Sequence, residues 1–217
     1  MNYQSEDSKN SARLIIAITL IFSIGYAVLR YHVFGPVPWK DFPFFILNKG
    51  ISLSAFILLS FNFSFGPLKN LGVKVPESWL NTRKALGMSG FLLVLIHAMI
   101  SLILLNPMVY GKFFDENETL TLLAQLSMLG GILAFVFLWG YNLSFQTHAR
   151  KDDAFTQIFV LPKFLIIAVT LGAVHLFFMG YKDWINPSGW HGGLPPISLV
   201  AIIFFVSAYI INLLGRK

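Results

Sequence analysis

The chain contains no cysteine. Disulfides, iron–sulfur clusters, thiolate metal sites and a thioether-linked c-type haem are thereby excluded, and a redox metal would have to be held by His, Met or oxygen ligands. Charge is also scarce. Asp, Glu, Lys and Arg make up 12% of the 217 residues, against roughly 25% in a soluble domain, and a surface so poor in charge does not suit water. Acids are the scarcer sign, 10 against 16 Lys and Arg. A net charge of +6 ordinarily raises nucleic acid as a partner, but here the bases sit in short links between apolar runs. That distribution belongs to membrane topology, and no nucleic acid is expected. The sequence shows no GxGxxG motif, internal repeat or low-complexity tract, and no appended soluble domain is expected within it. Recognisable binding of NAD(P)H is therefore not expected of this chain.

What is abundant is apolar: 56% of residues are hydrophobic and 22 are Phe. A helix crossing ~30 Å of hydrocarbon needs about 20 predominantly apolar residues. Six segments qualify, at 12–33, 44–65, 84–105, 120–143, 155–179 and 197–214. The expected fold is all-α, an integral membrane bundle of six transmembrane helices. Residues 1–11 are expected to form a cytoplasmic tail and residues 12–217 one membrane domain. The first run is too long for a cleaved signal peptide. Links are punctuated by Gly35-Pro36-Val37-Pro38, Gly66-Pro67, Asn106-Pro107, Asn186-Pro187-Ser188-Gly189 and Pro195-Pro196.

The bases assign a direction. Lys9, Arg13, Lys69, Lys74, Arg83, Lys84, Arg150, Lys151, Lys163, Arg216 and Lys217 fall on one side, and Arg30, Lys40, Lys49, Lys112 and Lys182 on the other. Positive-inside bias then puts both termini in the cytoplasm and the chain in the cell's inner (cytoplasmic) membrane as a multi-pass protein. Asp115, Glu116 and Glu118 face outside. Trp39, Trp184 and Trp190 are expected at the outer interface and Trp79 at the inner one, as headgroup anchors.

Of five histidines, His32, His148 and His191 lie in links or at span ends, where solvated or interfacial imidazoles are ordinary. His97 and His175 lie within the third and fifth runs, where ionisable side chains are rare and turn toward the bundle interior. These two helices run in the same direction. At 1.5 Å per residue the two histidines stand roughly 16 and 20 Å from their inner ends, nearly level. Two level imidazoles on neighbouring helices can clamp a planar macrocycle from both faces. Gly90 and Ser101 share the face of His97, and Ala168 and Gly172 that of His175, leaving room beside each ring. A hydrogen bond to a neighbouring helix explains either histidine taken singly, so the residues alone leave both readings open. Lys49 lies a few residues into the second run, where a charge must snorkel or find a partner.

Several segments resemble the ferric-reductase-like transmembrane family, whose members include single-haem six-transmembrane reductases and the haem-binding membrane subunit of a periplasmic methionine sulfoxide reductase. They are Gly66-Pro67-Leu68-Lys69, Arg83-Lys84-Ala85-Leu86-Gly87 leading to His97, and Leu161-Pro162-Lys163 leading to His175. The likeness covers about residues 44–179. It implies a bis-His b-type haem on His97 and His175. Two-haem members carry a second, inner histidine pair, but Arg83 and Pro162 occupy those places here. The resemblance therefore implies one haem, near the outer leaflet, and an inner site for a flavin or a quinone beside Arg83, Lys84 and Lys163. Lys49 would meet haem propionates, and His191 offers a further contact there or with an acceptor.

The expected function is transfer of electrons from a quinol or flavin donor to an acceptor on the outer side. The chain would serve as the electron-transfer subunit of an oxidoreductase, in contact with membrane lipid, the quinone pool and an extracytoplasmic redox partner protein. The competing expectation is a six-helix transporter or an assembly subunit without haem. Against the transporter stands the lack of intramembrane acids and of an inverted repeat.

Overall fold

The computed structural model describes residues 6–143 and 162–215. Among them are six helices long and apolar enough to cross a membrane, so the chain is an all-α, multi-pass bundle. We label them α1 (Glu6–Ala27), α2 (Leu47–Asn70), α3 (Arg83–Leu104), α4 (Leu122–Leu143), α5 (Pro162–Trp184) and α6 (Ile197–Gly215). A π-helical turn, Val28–Val33, continues α1, and another, Phe42–Ile46, leads into α2. His148, Arg150, Lys151 and the expected start of the fifth run at 155–161 lie outside the described residues.

Within the described residues each expected run lies in a helix, with different limits. Residues 6–11, expected in a tail, form the first turns of α1, where Glu6 and Asp7 suit the positive end of the helix dipole. Gly66-Pro67 does not break α2 as expected; the helix continues to Asn70. Proline there deprives the Phe63 carbonyl of its helical donor. Asn212 of α6 supplies a replacement, its Nδ2 donating to Phe63 O at 3.0 Å. In a bundle surrounded by lipid, such a carbonyl needs a protein donor.

α2 is the central helix, with fourteen buried residues against three in α3. Its buried residues include Gly50, Ser54, Ala55, Ser60 and Ser64, the small types that let membrane helices approach closely. A Cβ on Gly50 would lie 2.9 Å from Ile24 Cα of α1, so only glycine allows that crossing. The Ser54 and Ser64 hydroxyls donate to carbonyls one turn back, at 2.9 and 2.7 Å, and stay satisfied inside the bundle.

The bundle has two distinguishable ends. At the near end, Asn70 Nδ2 donates to Gly215 O at 3.0 Å, joining the ends of α2 and α6. At the far end, Tyr26 OH donates to Pro195 O at 2.7 Å, joining α1 to the segment before α6. The far end also carries the α3–α4 link, where the Asp115 carboxylate accepts from Thr119 Oγ1 at 2.6 Å and from the Asn117 and Thr119 amides at 2.9 Å.

Packing around the centre is uneven. α3 lies along α2 and α4 along α5, both extensively, while α6 bridges α2 and α5. α3 and α4 touch only slightly. Helices α2 to α5 thus stand as two pairs with a gap between them.

Candidate functional site

The gap is a cavity of about 390 Å³ whose walls come from all four of these helices, within the range of small-molecule and cofactor sites. Its lining is largely apolar; its few polar members include Lys49, Ser101, Ser127, His97 and His175. The two intramembrane histidines therefore face one chamber from opposite helix pairs. His97 stands seven residues before the end of α3 and His175 nine before the end of α5, which sets them at similar depth below the far end.

The hydrogen bonds of the two rings decide what they can do. His175 Nδ1 is 2.8 Å from the backbone carbonyl of Ser127. A carbonyl only accepts, so Nδ1 carries the proton and the neutral ring keeps its lone pair on Nε2. Ser127 Oγ also donates to His175 O at 3.1 Å, fastening the two backbones together. His97 Nδ1 is 2.8 Å from Asn48 Oδ1. Asn48 is fully buried and donates through Nδ2 to Ser101 Oγ at 3.0 Å. That donation turns its oxygen toward His97, which gives His97 the same tautomer. Among the described residues no protein atom bonds Nε2 of either ring. Anchoring Nδ1–H on a carbonyl-type acceptor, with Nε2 left available, is how metal-binding histidines are oriented.

Small residues make the close approach possible. A Cβ on Gly131 would lie 2.9 Å from His175 Nδ1 and 3.4 Å from its Cε1 and Cγ. A Cβ on Gly130 would lie 3.1 Å from the His175 backbone nitrogen. Of the residues expected beside the imidazoles, Ser101, Ala168 and Gly172 line the cavity. Gly90 does not. It meets α2, where a Cβ would lie 2.9 Å from Leu59 Cγ, so its smallness serves helix packing.

Lys49 joins His97 and His175 in the cavity wall. Its ammonium lies 5.0 Å from the centre of the Tyr110 ring and 5.3 Å from that of Phe45. No carboxylate among the described residues is within ion-pair distance of it. Arg83 is elsewhere. It begins α3 at the near end, donates from Nε to Asn62 O at 3.1 Å, and lines a second cavity of about 260 Å³ with Asn62, Lys84, Gly87, Tyr141 and Asn142. The site residues named from the sequence thus divide, three at the central cavity and Arg83 apart. The side chain of Lys163 lies outside the described residues.

A third chamber, about 350 Å³, adjoins the central one toward the far end. The two share Lys49, His97, His175 and Tyr110, and the outer one adds Arg30, Lys112 and His191. His191 therefore belongs to the wall of this chamber. His32 does not, and its Nδ1 bonds Val37 O at 2.9 Å within its own link. Trp184, expected as a headgroup anchor, donates to Ser198 Oγ of α6 at 2.9 Å.

Sequence reasoning did not reach Asn48, Ser127 or the Gly130-Gly131 pair. A signal for the first was present, since an amide buried in an apolar run needs a partner as much as a histidine does. Ser127 accepts from the His175 ring through its main-chain oxygen, which no residue type announces. No family model matches this chain, and no curated protein matches it.

Proposed function

We propose that this chain is a membrane electron carrier of the ferric-reductase-like kind, holding one b-type haem between His97 and His175. The observation that supports it best is the shared tautomer: two neutral imidazoles, each fixed at Nδ1 and free at Nε2, on opposite walls of one cavity. A b-type haem held by two imidazoles supplies one-electron transfer at its iron. Every other contribution comes from the chain. Asn48 and Ser127 hold the rings, the apolar walls keep water away, and Lys49 offers a cation to the propionates.

The bases orient the carrier. With the richer side inward, the near end is cytoplasmic and the far end faces out. Electrons then enter from a quinol or flavin at the near end, where Arg83 and Lys84 line the second cavity. They leave to an extracytoplasmic redox partner protein at the far end. In this role the chain is the electron-transfer subunit of an oxidoreductase in the inner membrane.

The test is an absorption spectrum of protein purified from haem-sufficient cells. A Soret band is expected, with sharp α and β bands on dithionite reduction. His97→Ala and His175→Ala should each abolish the reduced bands. A colourless preparation would refute the proposal and leave a haem-free transporter or assembly subunit in its place.

A further inference from the structure

The outer chamber contains more positive charge than its own acids balance. Three Lys and Arg side chains line it, Arg30, Lys49 and Lys112, together with the histidines His97, His175 and His191 and one carboxylate, Asp183. Asp183 is committed to Lys112, at 2.9 Å. Arg30 and Lys49 have no carboxylate within ion-pair distance among the described residues.

Arg30 is the more telling of the two. It sits in the π-helical turn that ends the first membrane rod and is only 5% exposed. One terminal nitrogen, Nη1, donates to Leu194 O. Nε is buried and has no partner, and Nη2 has no acceptor among the described residues. Nε is enclosed by protein, so Nη2 is the guanidinium donor left for an anion in the chamber. A buried guanidinium with no carboxylate beside it is strongly unfavourable unless an anion completes it. Lys49 supplies a second positive charge to the same chamber.

From this geometry we infer that the outer chamber is a carboxylate-binding site, with Arg30 and Lys49 as its two cations. The carboxylate has two available sources. One is a propionate of the bound haem, which rests on the function proposed above. The other is a free carboxylate entering from the far end, which does not.

The experiment uses the full-length protein in detergent, as wild type, Arg30→Gln, Arg30→Lys and Lys49→Gln. Thermal unfolding is followed in succinate and in sodium chloride of equal ionic strength, and haem release to excess apomyoglobin is timed for each form. For a free carboxylate, succinate raises the wild-type melting temperature above the chloride control. Arg30→Gln then raises the succinate concentration required on the order of tenfold, and haem release is unchanged. For propionates, succinate has no effect, while Arg30→Gln and Lys49→Gln speed haem release on the order of tenfold. Arg30→Lys, which keeps the charge, recovers part of either loss, whereas an arginine with only a packing role would not be rescued in this ligand-dependent way. Overturning the inference takes a flat succinate response together with haem release that neither substitution alters. If the preparation is colourless, the proposed function falls, and the succinate response alone decides: a flat response overturns the carboxylate site as well.

Discussion

Replacing Gly131 by alanine tests the site at its tightest point. The added Cβ would stand 2.9 Å from His175 Nδ1, where ordinary contact begins at 3.4 Å, so the ring must recede by about 0.5 Å. That nitrogen is 2.8 Å from Ser127 O. The same displacement along the bond would stretch it to ~3.3 Å, past the usual N–H···O range. Overpacking of this kind costs about 1–3 kcal/mol, and loss of the bond that orients a metal-binding histidine weakens metal affinity about 10–100-fold. Melting temperature is a poor readout, because alanine in place of glycine also favours the helix by about 1 kcal/mol. The assay is therefore the haem-to-protein ratio after purification, with the reduced α band as a check on ligation. Gly25→Ala is the control. Gly25 lies in α1, outside the cavity wall, and an added Cβ there would meet nothing within 4 Å. Haem content should fall sharply in Gly131→Ala and change little in Gly25→Ala. Equal retention in both variants, or the reverse order, would refute the reasoning.

Three further expectations follow from the same geometry. Asn48→Leu removes the acceptor for His97 Nδ1 and should lower haem affinity about 10–100-fold, read as faster transfer to apomyoglobin; an unchanged rate would show that Asn48 does not orient the ring. The Thr119 hydroxyl, then the Thr119 amide, hold the Asp115 carboxyl below its usual pKa. The order this gives the 115–119 loop is complete above about pH 3.9, the ordinary value, and is lost as pH falls through the lower folded one. Amide exchange at Thr119 should accelerate through that window in wild type and be pH-insensitive there, beyond intrinsic exchange, in Asp115→Asn. Finally, single cysteines in this cysteine-free chain report its direction. Arg150→Cys should react with an impermeant maleimide only from the cytoplasmic side and Glu116→Cys only from the outside, and the opposite pattern would invert the topology.

Six apolar runs were legible because lipid demands length and hydropathy over about 20 residues, a demand written in residue types. Limits were less legible. Pro67 looked like a stop, and it stays inside α2 because Asn212, far away in sequence, takes over the freed carbonyl of Phe63. His97 and His175 were found because ionisable groups stand out in apolar surroundings, and equal depth followed from helix rise alone. Their second partners were not. Ser127 contributes a backbone oxygen, and Gly131 contributes the absence of a Cβ; neither has chemistry that marks it before the crossing of α4 and α5 is known. Gly90 shows the reverse case, a small residue on the expected face of α3 whose role is packing on α2.

The division into pairs bears on how such a site is kept ready. Asn48 of α2 fixes the histidine of α3, and Ser127 of α4 fixes that of α5. Each ring is therefore oriented by the helix its own helix packs against, and neither orientation depends on contact across the gap. α6 ties α2 to α5 on one side, whereas on the other side α3 and α4 touch only slightly, with the rings of Phe91 and Phe135 stacked 5.8 Å apart. A group that bridges His97 and His175 joins the pairs where the protein joins them least. Its binding free energy would then add to the stability of the bundle. The rings need no such help, since their hydrogen bonds lie wholly within the pairs. Orientation is thus a property of the chain alone, and joining of the two pairs at the histidines would be a property of the chain with the proposed haem.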